Sequence, residues 1–211
     1  MCPIPPRDPS TAGDPRRPGR RPASSRKAIE EAAGELFLEN TYGGTIIEQI
    51  TTRAGVSRAS FFNYFRAKSD LLWGDVDILI IGVAARLAEQ SPDIAPLEGI
   101  RSAIIGLVSE ITPDRIPLAI TQWELMGVRE DLLASGLQRF TALAAIVQRH
   151  LDSRCAAVDV LDSRAAAFAI VGAVAAASER WASAGPDRGS FSDLLDRAVS
   201  PVCDGFARTV R

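Results

Sequence analysis

The chain has 211 residues, a net charge of −2 and an apolar fraction of 46%, enough for a real core and for one small domain plus a larger one, or a single large unit. One histidine and three cysteines (Cys2, Cys155 and Cys203, none in a C-x-x-C pair) give neither a zinc site nor a disulfide framework, which fits a reducing cytoplasm. The near-neutral total hides an asymmetry: residues 1–68 carry eleven Lys and Arg against seven Asp and Glu, whereas the remainder carries thirteen against nineteen, the pattern of a basic binding head on an acidic chassis.

Residues 1–22 hold seven prolines and five arginines. They lack the apolar run of a secretion leader and cannot bury a core, so a disordered basic arm is expected. For Arg20 and Arg21 two readings stay open, a solvated tail and an arm reaching phosphates or the minor groove; residues 1–15 read as solvated tail. A first helix is expected over Ser24–Asn40, ending before Gly43-Gly44. Thr45 followed by Glu48 forms a capping box that starts a second helix at Ile46. Ile47, Ile50 and Ala54 give that helix its apolar face, and Gly55 stops it. Val56 plugs the turn and Ser57 caps a third helix. There Arg58, Ser60, Asn63 and Tyr64 alternate with Phe61, Phe62 and Phe65. Taken alone, Thr45–Phe65 is either an ordinary helical hairpin or a helix-turn-helix whose last helix enters the major groove. The polar tips favour the latter, with Arg58, Ala59, Ser60 and Asn63 on the exposed side as base-reading candidates. Thr45 and Ser57, at helix N-termini, are candidate phosphate contacts.

A long fourth helix is expected from Lys68 to Glu89, ended by Pro92. Further helices are expected near 97–111, 115–127, 129–152, 161–183 and 190–209, with no strand pattern and no repeat. The fold class is therefore all-α: an N-terminal three-helix DNA-binding domain plus a C-terminal helical bundle, about nine helices in total. The division is 1–22 arm, 23–67 helix-turn-helix domain and 68–211 helical domain. The apolar run Ala165–Ala177 is too short to span a bilayer, so no membrane is implied. Ala169, Gly172, Ala173 and Ala176 allow close helix approach, and Phe191, Leu194, Leu195, Val199, Val202 and Phe206 stripe the last helix. No G-x-S-x-G, Walker or dinucleotide loop is present, and His150 near the end of a long helix needs no catalytic role. No enzymatic activity and no cofactor are expected.

Residues 24–72 resemble the DNA-binding domain of the TetR family of bacterial regulators. The resemblance is carried by Ile29-x-x-Ala32-Ala33-x-x-Leu36-Phe37, Thr45 with Ile50, Ala54-Gly55-Val56-Ser57, and Phe62-Asn63-Tyr64-Phe65-x-x-Lys68-x-x-Leu71-Leu72. Gly19-Arg20-Arg21-Pro22-Ala23-Ser24, Phe61-Phe62 and Leu72-Trp73-Gly74-Asp75-Val76-Asp77 resemble the narrower mycofactocin-system regulator type. The resemblance implies a double-stranded DNA operator, phosphate contacts from Tyr64 and Lys68, and a homodimer through the last two helices. It also implies an effector enclosed by the bundle, acyl-CoA-like in the narrower group. Trp123, Met126, Phe140 and Phe168 are then pocket candidates, with Trp181 beside Phe168 and with Arg101, Arg86 or Arg129 for the phosphates. The fourth helix, joining Lys68 to a pocket wall near Ile78–Leu87, would be the lever that releases the DNA. Two departures stand out: Phe62 replaces a frequent phosphate-binding Tyr, and Arg66-Ala67 replaces a frequent Pro-Ser cap. A regulator without an effector, and a ligand-binding or enzymatic protein that has lost DNA binding, remain the alternatives.

Overall fold

The computed structural model describes residues 22–74, 76–111, 116–155, 157–185 and 188–210, with side chains from Ser25 onward. Ten α-helices and one 3-10 helix occur there, and no strand. The N-terminal head comprises α1 (Pro22–Asn40), α2 (Ile47–Ala54) and α3 (Arg58–Tyr64). The 3-10 helix Lys68–Leu72 leads to the body, made of α4 (Val76–Ala88), α5 (Pro96–Ser109), α6 (Leu118–Thr121), α7 (Trp123–Met126), α8 (Arg129–Arg154), α9 (Val160–Ala182) and α10 (Phe191–Phe206).

The head is organised by its own local signals. Gly55 takes φ +65° and closes α2, a conformation open to glycine at little cost. Ser57 caps α3 by accepting from the Ser60 backbone N–H at 3.0 Å. The start of α2 differs from expectation. Ile46 is the N-cap residue, and Gln49 Oε1 accepts from its backbone N–H at 2.8 Å. Thr45 lies one residue too early to cap, and isoleucine offers no acceptor, so only half a capping box exists.

Two apolar cores result. One joins Ile29, Phe37, Ile50, Phe61 and Leu72 with Ala119, Met126 and Val128 of the body. The head is thus sealed from beneath by α6–α8, and a boundary between residues 67 and 68 runs through a continuous core. The other lies among α4, α5, α8, α9 and α10. The expected long fourth helix is broken. The 3-10 turn ends at Trp73, Gly74 takes φ +44°, and α4 begins at Val76. A Cβ on Gly74 would stand 3.2 Å from Pro117 Cγ, so the break sits where the segment before α6 leaves little room for a side chain. The segment expected as one helix over 115–127 contains two single turns, α6 and α7, with a αL glycine at Gly127. Helix α9 is long and apolar enough by composition to cross a membrane, yet it packs most extensively against α8 and α10.

Candidate nucleic-acid interface and effector cavity

Helix α3 presents Ser57, Arg58, Ala59, Phe62 and Asn63 to solvent, with Ser60 and Tyr64 half-buried. Phe61 and Phe65 anchor it from the other side. Phe62 differs from Phe61 and Phe65. It stays 46% exposed, and the Arg58 guanidinium lies 5.7 Å from its ring centroid. Arg58 is therefore held by a cation–π contact along one helix face, four residues apart. Ser57, Arg58, Ala59 and Ser60 lie at the N-terminal end of the helix, the part that meets base edges in helix-turn-helix domains, and Asn63 is exposed near its other end. Arg20 and Arg21 lie outside the described residues.

Two expected DNA contacts have internal work instead. Thr45 is fully buried; its hydroxyl donates to Thr41 O at 2.8 Å and lies 3.2 Å from Leu36 O. Its side chain is unavailable to a phosphate. Lys68 Nζ donates to Tyr42 O and Thr45 O, both at 2.8 Å, and sits 3.9 Å from the Tyr42 ring centroid. Burial lowers its pKa from the ordinary lysine range, and burial pushes the Tyr42 phenol up to about 12. Lys68 clamps the α1–α2 turn, which leaves at most one of its three donors for DNA. The cap expected to be weak at Arg66-Ala67 is supplied by Asp70, whose Oδ2 accepts from Arg66 N at 2.9 Å and Ala67 N at 3.1 Å.

The body encloses an apolar cavity of about 200 Å³ lined by α4, α5, α6, α8, α9 and α10, with Trp73, Leu79, Val83, Leu107, Ile120 and Trp181 among its walls. No charged side chain lines it. Its polar atoms are already engaged: Ser178 Oγ donates to Val174 O at 2.8 Å, Trp181 Nε1 to Gly189 O at 3.0 Å and Trp73 Nε1 to Ser135 Oγ at 2.9 Å. The five residues expected to form the pocket lie elsewhere. Met126 and Trp123 pack into the head core, with Arg129 over the Trp123 ring. Phe140 and Phe168 meet edge to face at 5.6 Å on the α8–α9 surface. Arg101 bridges α5 and α10 through Asp196 at 2.7 Å, with Glu98 at 3.1 Å, which raises its pKa and lowers that of Asp196. Arg86 is paired to Glu110. Aliphatics such as Leu79, Val83 and Leu107 carry the same periodicity whether they face a core or a cavity, so the sequence does not mark this wall. Trp181 is the one expected aromatic that reaches it.

A polar node joins cavity and head. Arg139 on α8 donates to both carboxylate oxygens of Asp77 at 2.8 Å, lies 3.6 Å from Asp70 Oδ1 and sits 4.9 Å from the Trp73 ring centroid. Its side chain is only 11% exposed. Trp73 and Val76 belong to the cavity wall, and Asp70 caps the 3-10 helix that carries Lys68. A body-to-head link also runs through the backbone, from Tyr42 N to Met126 O at 2.8 Å.

Two family models match the chain. The model for the bacterial regulatory proteins of the tetR family covers residues 29–72, and the MftR C-terminal domain covers residues 94–207. A mycofactocin biosynthesis transcriptional regulator, MftR, of Mycobacterium tuberculosis is 26% identical over 90 residues, 43% of this chain and 46% of that protein. The match thus spans under half of that relative. A TetR-like transcriptional regulator from Rhodococcus sp. RHA1 superposes with a TM-score of 0.49 at 19% identity, over 90% of this chain and 100% of that one. A TetR-family regulator from Agrobacterium tumefaciens gives 0.44 at 21%, with the same coverage. On the two family models, which together take in the helix-turn-helix and most of the body, the chain belongs to the TetR family of DNA-binding transcriptional regulators, with an MftR-type C-terminal domain.

Proposed function

We propose that the protein is a homodimeric repressor that grips its operator through α3 and releases it when a small apolar or acyl-chain-bearing effector enters the body. The observation that carries this reading is the unbroken route from the cavity wall at Trp73, through Arg139, Asp70 and Asp77, to the 3-10 helix and the Lys68 clamp on the α1–α2 turn. An occupant that displaces Trp73 alters the seat of Arg139, and with it the angle at which α2 and α3 are held. Repression follows if the effector prefers the arrangement that fits DNA less well. The lever is a jointed one, hinged at Gly74, and not a single rigid helix.

Base reading is assigned to Arg58, Ala59, Ser60 and Asn63, and phosphate contact to Ser57 and Tyr64, with Arg20 and Arg21 as an added arm. The dimer is assigned to α9 and α10. Leu161, Ala165, Phe168, Gly172 and Ala176 recur every three or four residues along one side of α9. A Cβ on Gly172 would meet nothing within 4 Å in its own subunit, so this face is open to a second helix. Two-fold pairing then sets two copies of α3 on successive turns of one DNA face. The cavity is smaller than the roughly 300–1,000 Å³ of drug-sized ligand sites and has no cation, so it suits a short acyl chain, with any phosphates held outside it. Its existence favours this reading over a bundle that only dimerises.

The test is fluorescence anisotropy of the protein on DNA from immediately upstream of its own gene, at two salt concentrations. Asn63→Ala is expected to cost about 1–3 kcal/mol on the specific site and little on random DNA. Binding that is absent at both salt concentrations would overturn the assignment.

A further inference from the structure

At the opposite end of α4 and α8 from the head lies a second pocket, of about 430 Å³, between the last turns of the two helices and the loop that follows α4. Leu87 and Ile146 form apolar wall, and Gln90, Arg149, His150 and Arg154 supply polar groups; no acid lines it. His150 is 9% exposed, and its Nε2 has no hydrogen-bond partner among the described residues. Gln90 Oε1 is likewise buried and unpartnered, its amide nitrogen being committed to Gly99 O at 2.6 Å. The Gln90 oxygen lies against Gly99, where a Cβ would stand 2.0 Å from it, but buried polar atoms are nearly always paired, so the orphaned imidazole at the pocket calls for an explanation. Arg154 is locked as a strut, its Nη2 donating to Pro92 O at 2.7 Å and Ile94 O at 3.0 Å. Arg149 is exposed and forms no ion pair among the described residues. A rigid cation, a free cation and an imidazole over an aliphatic floor form a positive, amphipathic recess.

We propose that this pocket is a binding site for a small organic anion, its oxyanion held by Arg149 and His150 and its short apolar part laid on Leu87 and Ile146. Such a molecule meets both halves of the recess: the oxyanion accepts from a guanidinium and an imidazole N–H, and a few methylenes leave water against the floor. The site is separate from the cavity at Trp73 and does not depend on operator binding.

The chain has a single histidine, so ¹⁵N-histidine labelling of the full-length protein gives one imidazole signature. Burial and the charge of Arg154 hold that imidazole below its ordinary range, and a bound anion would draw its titration upward. Titration with sodium hexanoate, against sodium chloride at matched ionic strength, is expected to shift the imidazole resonances saturably. Hexanoate should bind about tenfold more tightly than acetate, because acetate lacks the methylenes. Arg149→Ala, at an exposed position that leaves the thermal midpoint unchanged, is expected to weaken hexanoate about tenfold, and Arg149→Lys to restore part of the loss. Resonances that respond only to ionic strength, or an Arg149→Ala variant that binds hexanoate like the native protein, would overturn the proposal.

Discussion

Lys68 shows how a residue of one chemical type changes role with its surroundings. A lysine next to a recognition helix reads as a phosphate contact, but its ammonium is held by the carbonyls of Tyr42 and Thr45 over the Tyr42 ring. Lys68→Met should therefore lower stability by about 1–2 kcal/mol, the scale of hydrogen bonds to a charged group at a half-exposed site. The slope of log affinity against log salt on operator DNA should stay unchanged. A drop of about one in that slope, with stability intact, would make Lys68 a phosphate contact after all. His150 is the second such residue. Its folded pKa lies below the value near 6.5 of an unfolded histidine. Between those two values the unfolded chain binds more protons, so stability is full above the unfolded pKa and is lost as pH falls through it. Chemical denaturation between pH 7.5 and 5.5 should show that decline, and His150→Gln should flatten it. An identical decline in the variant would assign the effect to other groups.

The helix-turn-helix was legible in the sequence because its signals are local. Gly55 and Ser57 each act within one turn of their own position, and both behave as the sequence implies. The break between the 3-10 helix and α4 was not legible. Nothing near Gly74 in sequence demands φ +44°; Pro117, more than forty residues away, leaves little room there for a side chain. Gly74→Ala should cost about 1–2 kcal/mol, from positive φ and the close contact together. It should also raise or lower operator affinity, because it stiffens the joint of the lever. Unchanged stability would show that the joint relaxes freely. The same distinction explains the misplaced pocket. The resemblance marks Trp123 and Met126 as pocket candidates, but the head core claims them. Whether an aliphatic position faces a void or a neighbour is decided by packing between distant elements, to which periodicity is blind.

The whole molecule is a small reading head set on a body through one core and one polar node. Its symmetry partner is expected on the open face of α9. Phe168→Arg places a charge in that seam and should give a monomer by analytical ultracentrifugation, with operator affinity falling at least tenfold as the second half-site is lost; a stable dimer would move the interface elsewhere. Arg139 is the point where cavity and head meet, so Arg139→Leu should keep the operator complex but abolish its response to effector. The measurement that tests the account most directly is operator affinity with and without octanoyl-CoA, free CoA serving as the control. Binding of the acyl form with a fall in operator affinity of about tenfold, a coupling of about 1.4 kcal/mol, and no effect of free CoA, is the predicted result. Octanoyl-CoA bound to the dimer with operator affinity unchanged would contradict it.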